Sequence, residues 1–294
     1  MTSSTLPGDQ VEWTEPIIFP PKTTHTHSMI ILHGRGGSGL EVSVGFMGDM
    51  SRSQILYDFA AQFPGMKFIF PSAKIRRARF LRQDFPQWFD QIPLAMPIEQ
   101  RTELYLEGLR DSTRFLQTLV DAEIELVGAG NVIIGGYSQG VAQSLQLLLS
   151  YVDERGRGPL GGYFGFSGWL PFQKQLAALV PPGFEYKTPS EEERHRVVMK
   201  AINYIREDVL DLPAIAVKDD SVSTAFKTPI WLSHGSLDNI VAPSLGEAAA
   251  DTMKALGWKV TWKRYNGLEH RFHEAALADV AQFLKEKAGV PQKQ

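Results

Sequence analysis

The ten residues NVIIGGYSQG (131–140) decide how the rest of the chain is read. An unbroken apolar run closed by glycines is what a strand covered on both faces of a parallel sheet requires. The run leads through Gly136-Tyr137-Ser138-Gln139-Gly140, a G-x-S-x-G pattern, into the Leu- and Gln-rich stretch from Val141 to Tyr151, which reads as a helix. Strand, sharp glycine turn and helix form the setting of a nucleophile elbow. Small residues on either side let the backbone reverse, so that the Ser138 hydroxyl projects from the sheet edge. The helix that follows aims free N–H groups and a partial positive charge at the same point.

Working outward, similar runs recur at 28–32, 67–70, 161–166, 229–233 and 259–265, with amphipathic stretches from Glu99 to Val127, Leu245 to Leu256 and Glu274 to Lys287 between or after them. Alternating strands and helices predict a mostly parallel central sheet flanked by helices, with ligands at the carboxyl ends of the strands. The rhythm breaks between about 173 and 227, where Ser190 and Glu193 form a capping-box signature ahead of Val198, Ile202 and Ile205. This segment is expected to be an inserted helical subdomain or lid within a single domain. Residues 1–15 are polar and read as a loose N-terminal arm.

A serine nucleophile needs a base, and the base needs an orienting acid. In α/β-hydrolases these follow in the order Ser, Asp or Glu, His. Asp238, in HGSLDNIVAP (234–243), stands in a loop just after a predicted strand, whereas Asp251 and Asp279 fall within helical patterns. His270 occupies the loop after the last strand, and His273 is expected within the first turns of the final helix. The pair in GLEHRFHE (267–274) also permits a metal site, which this reading disfavours because Ser138 and Asp238 need only one histidine. The glycine-rich loop HGRGG (33–37) lacks the spacing of a P-loop or a dinucleotide fingerprint. The alternative is that it supplies an oxyanion-hole N–H, making the Arg35 and Gln139 backbone amides the two donors, with their side chains incidental.

Composition narrows the classes further. A net charge of −3 over 294 residues gives no electrostatic case for nucleic acid or an anionic membrane. The basic cluster Lys74 to Arg79 reads as a solvated loop rather than a phosphate site, and His195, in a charged run, as a solvated side chain. With no cysteine there are no disulfides, thiolate metal sites or thiol nucleophiles. No leader-like start and no stretch near the roughly 18 apolar residues of a membrane span is present, which fits a cytoplasmic protein.

Taken together, LHGRGGSG (32–39), FPSA (70–73), QWFDQ (87–91), VIIGGYSQGVAQSL (132–145), FSGWLP (166–171), HGSLDNIVAP (234–243) and YNGLEH (265–270) resemble the acyl-protein thioesterase / phospholipase–carboxylesterase family of serine hydrolases. The resemblance implies an α/β-hydrolase fold, Ser138 as nucleophile, Asp238 as acid, His270 as base, and Arg35 and Gln139 as oxyanion donors. It implies Trp88 in the acyl pocket, no cofactor or metal, and an acyl ester or thioester substrate: a small molecule, a lysolipid or an S-acylated protein. Departures from the family pattern are Arg35 in place of a hydrophobic residue, Val141 in place of glycine, and the insertion. A small-metabolite esterase and a non-catalytic ligand-binding protein of the same fold are the alternative readings.

Overall fold

The computed structural model describes residues 12–47, 59–93, 101–151, 158–184, 190–215 and 226–291. Nine strands are assigned among them: β1 (Ile17–Phe19), β2 (His27–Leu32), β3 (Met66–Phe70), β4 (Ile75–Ala78), β5 (Gln83–Pro86), β6 (Val132–Tyr137), β7 (Gly162–Phe166), β8 (Ile230–Gly235) and β9 (Val260–Tyr265). Seven of them make one sheet in the order β1-β3-β2-β6-β7-β8-β9, parallel throughout except for the antiparallel edge strand β1.

The central strands read as continuous apolar runs because both faces are covered. Side chains alternate across a strand, so Met29 and Ile31 of β2 enter one core while Ile30 and Leu32 enter the other. The first core is closed by α1 (Gly39–Met47) and by α7 (Glu274–Lys287), through Phe46, Leu277, Val280 and Leu284. The second is closed by α2 (Glu103–Val127), α3 (Gln139–Ser150) and α6 (Pro243–Ala255). The helix expected from Glu99 begins at Glu103; Glu99 and Gln100 lie outside the described residues.

Three expectations change. The basic cluster is a strand rather than a loop and is only half solvated: it supplies β4 of the β4–β5 hairpin, with Arg77 and Arg79 exposed but Lys74 and Arg76 16% and 17% exposed and ion-paired with Asp111. Asp111 lies on α2, so only the folded chain supplies the partner that holds those cations down. At the amino end, residues 1–11 are outside the described set, but Trp13 is docked. Its ring stacks on Phe115 at 4.1 Å, and Lys74 Nζ lies 4.7 Å from its centroid.

The described part of the inserted segment belongs to the main core. It contains α4 (Gln173–Ala178) and α5 (Glu191–Asn203), which runs on into a wider π-helical turn at Tyr204–Val209. The capping box forms as expected, the Ser190 hydroxyl accepting from Glu193 N–H. Val198, Ile202, Ile205 and Val209 are buried in the same cluster as α2 and α3, and His195 is half-buried. Arg206 Nη1 donates to Ser150 O at the far end of α3, and Arg110 Nε donates to Val209 O. At 1.5 Å per residue, that end of α3 is about 18 Å from Ser138. The parts of the insertion at 185–189 and 216–225 lie outside the described residues.

Candidate active site

Four strand ends converge at one edge of the sheet. Ser138 follows β6, the glycine-rich loop follows β2, Asp238 follows β8 and His270 follows β9. Ser138 has φ 54° and ψ −121°, a strained backbone for a residue with a Cβ. The strain persists because the surroundings dictate it. A Cβ on Gly140 would sit 2.4 Å from the Leu32 carbonyl oxygen, so α3 starts against the end of β2 only if that residue is glycine. Val141, the departure next to it, is buried against Gly165 and Gly168, whose missing side chains leave its room.

The serine, histidine and aspartate come together. His270 Nε2 is 3.0 Å from Ser138 Oγ, and His270 Nδ1 is 2.7 Å from Asp238 Oδ2. The network assigns the tautomer: Nδ1–H donates to the carboxylate, leaving Nε2 to accept from the serine hydroxyl. Asp238 Oδ1 accepts from the N–H groups of Ile240 (3.0 Å) and Val241 (2.8 Å), and Oδ2 is also 3.0 Å from His234 Nε2. Burial alone would raise the Asp238 carboxyl. Hydrogen bonds from His234, His270 and Val241 outweigh it and hold the group well below the usual carboxylate range. His270 is steadied from its other side by Tyr137, whose hydroxyl donates to His270 O at 2.9 Å and whose ring lies 5.0 Å from the imidazole.

His273 stands apart. It is the N-cap of α7 rather than a member of its first turns, and its Nδ1 accepts from Ala275 N–H at 3.2 Å. No group of three or more His, Cys, Asp or Glu able to hold a metal occurs among the described residues.

The glycine-rich loop is fixed by His33. Its Nδ1–H donates to Gly34 O (2.6 Å) and its Nε2 accepts from Ala73 N–H (2.9 Å), an arrangement that needs the neutral ring. Burial pushes the His33 pKa down to about 4, against the opposing bond to Gly34. Gly36 N–H goes to Pro86 O and Gly37 N–H to Gly34 O, while the Arg35 and Gln139 amides have no acceptor among the described residues. A Cβ on Gly34 would lie 3.1 Å from that of Ser138, so the loop packs directly on the elbow. Beside it opens a cleft of ≈ 280 Å³ lined by the loop together with Glu41, Val42, Tyr137 and Phe272.

Two sequence expectations are corrected by this geometry. Trp88 has no exposed surface and therefore does not line the cleft. Its Nε1–H donates to His33 O at 2.8 Å, bracing the loop from behind. The Gln139 side chain is not incidental either. It is fully buried, accepting from Trp88 N–H and donating to Phe89 O and Gln91 Oε1, so it ties the QWFDQ segment to the elbow. The Arg35 side chain lies over Phe85, 5.1 Å from the ring centroid. The sequence reading gives no role to the buried side chains of His33 and His234, although a signal is present. Each closes an apolar run immediately before a glycine, LHG at 32–34 and SHG at 233–235.

A model of the phospholipase/carboxylesterase family matches residues 14–181 and 211–288, leaving 182–210 within the insertion unmatched. Acyl-protein thioesterase 1 of Gibberella zeae is 27% identical over 276 residues, covering 92% of this chain and 95% of that protein. A probable carboxylesterase SOBER1-like of Arabidopsis thaliana is 27% identical over 258 residues, covering 87% and 77% of the two chains. Among solved structures, acyl-protein thioesterase 2 of Zea mays shares the fold at 22% identity and a TM-score of 0.64, covering 94% of this chain and 99% of that one. With the family model spanning most of the chain and the sheet topology in agreement, the chain belongs to the phospholipase/carboxylesterase family of ester hydrolases with the α/β-hydrolase fold.

Proposed function

We propose that this ester hydrolase cleaves carboxylic esters or thioesters through an acyl-enzyme on Ser138, with His270 as base and Asp238 as its orienting acid. The observation that carries the reading is the unbroken line from Asp238 through His270 to Ser138, at 2.7 and 3.0 Å. His270 takes the serine proton as Oγ attacks the acyl carbonyl, and the imidazolium is stabilised by the Asp238 carboxylate. The oxyanion of the tetrahedral intermediate accepts from the Arg35 and Gln139 amides, then collapses with His270 returning the proton to the leaving alcohol or thiol. Water, deprotonated by the same histidine, attacks the acyl-enzyme and frees the acid and the serine. Removing one oxyanion donor in such a site costs about 3 kcal/mol of transition-state stabilisation.

The similar proteins named acyl-protein thioesterase support thioesters within the substrate range. The test is labelling with a fluorophosphonate probe together with turnover of a short-chain p-nitrophenyl ester. The wild type reacts in both assays and Ser138→Ala in neither. Equal labelling of the two proteins rejects Ser138 as nucleophile.

A further inference from the structure

His234 is a second histidine on the acid that the reaction described above does not use. It lies within β8, four residues before Asp238, and is 1% exposed. Its Nε2 is 3.0 Å from Asp238 Oδ2 and 2.9 Å from Val241 O. With both atoms acceptors, the nitrogen between them carries the proton and shares it in a three-centre bond. The other ring nitrogen, Nδ1, is buried without a partner among the described residues. The ring is also confined, because a Cβ on Gly246 of α6 would come within 2.4 Å of Nδ1.

Asp238 therefore sits among four donors. Two backbone amides hold Oδ1, and two imidazoles, His234 and His270, hold Oδ2. A carboxylate held on both oxygens cannot turn about its Cβ–Cγ bond without breaking several bonds together. Of the two imidazoles only His270 has to move a proton and meet substrate, and its side chain is 13% exposed, whereas that of His234 is entirely enclosed. The histidine that cannot move is the one suited to fixing the oxygen to which the mobile one is aligned.

We propose that His234 is a positioning residue for hydrolysis, its Nε2–H locking the plane of the Asp238 carboxylate so that His270 is presented to Ser138. The proposal rests on the reading of Asp238 as the acid of the site. The competing role is structural: His234 would only close the 235–241 turn through Val241 O.

The experiment compares the full-length wild type with His234→Leu, His234→Gln, Asp238→Ala and the His234→Leu/Asp238→Ala double variant. It uses p-nitrophenyl butyrate as substrate and thermal melting as a check on folding. His234→Leu should lower kcat roughly ten- to hundred-fold, as misalignment of a reacting group does. KM should stay within about twofold, since the interaction lost is one made in the transition state. His234→Gln, whose amide N–H replaces Nε2–H, should recover most of kcat. In the Asp238→Ala background, His234→Leu should cause no further loss. Wild-type kcat in His234→Leu, or an equal loss with and without Asp238, overturns the proposal. If the leucine variant does not fold, His234→Asn decides, because its shorter amide stays polar but does not reach Oδ2; wild-type kcat there overturns the proposal as well. Should Asp238→Ala itself keep wild-type turnover, the reading of the acid fails, and the proposal with it. Loss in Asp238→Ala with full activity in His234→Leu isolates the failure to His234.

Discussion

The histidines differ in what each ring nitrogen touches, and their differences can be tested. His270 links Asp238 to Ser138, whereas His273 caps α7 through Ala275 N–H. His270→Ala should lower kcat at least about a thousand-fold, in line with loss of a triad member. His273→Ala should leave kcat nearly unchanged and cost about 1 kcal/mol of stability, the usual worth of an N-cap. Steady-state kinetics and urea unfolding of the two variants check both. His33 predicts a pH dependence. Its native pKa is lowered to about 4 from an ordinary 6.5, so between those values the unfolded chain binds a proton that the folded chain refuses. Its contribution is intact above pH 6.5 and is lost progressively as the pH falls through 4, roughly 3 kcal/mol in all. Urea unfolding at pH 7.5 and pH 5 should show about 2 kcal/mol of this loss in the wild type. In His33→Gln, which has no proton to bind there, the pH dependence across that window should be smaller.

At the scale of elements, catalytic geometry depends on how closely β2, β6 and α3 approach one another. Gly136 and Gly140 let α3 leave β6 against the end of β2, and that contact holds Ser138 at its positive φ. Gly140→Ala should therefore destabilise the fold by roughly 3 kcal/mol, because the obstacle is the Leu32 backbone rather than a side chain that can swing aside. A melting curve unchanged from the wild type would contradict this account of the elbow. The β4–β5 hairpin was not legible because IRRA and QDFP carry no alternating apolar signal. Asp111 and Trp13, far away in sequence, hold down its Lys74 and Arg76.

For the molecule as a whole, the insertion shares the core that carries the site. Ile202 of α5 has no exposed surface and belongs to the cluster formed by α2 and α3. Ile202→Ala should cost about 3 kcal/mol in urea unfolding, the usual effect of emptying a buried isoleucine site. Because the helical segment that carries Ile202 is anchored through Arg206 at Ser150, at the opposite end of α3 from Ser138, kcat should change little where the variant remains folded. A large drop in kcat with unchanged stability would return the segment to the role of a lid.

The sequence by itself determined the six parallel strands of the sheet and their order along the chain, but not the antiparallel edge strand β1. Buried parallel strands must be apolar throughout, and the turns at their ends must be small. It also singled out Ser138, Asp238 and His270, which the fold brings within hydrogen-bond reach, because a nucleophile elbow and the loops after the last strands occupy fixed places along such a chain. Only the tertiary structure decided what surrounds those residues. Trp88 lies behind the loop rather than in the cleft, the Gln139 side chain ties two segments together, and two histidines share one oxygen of Asp238. Those outcomes depend on the directions of side chains from segments far apart in sequence, and periodicity along a chain carries no record of them.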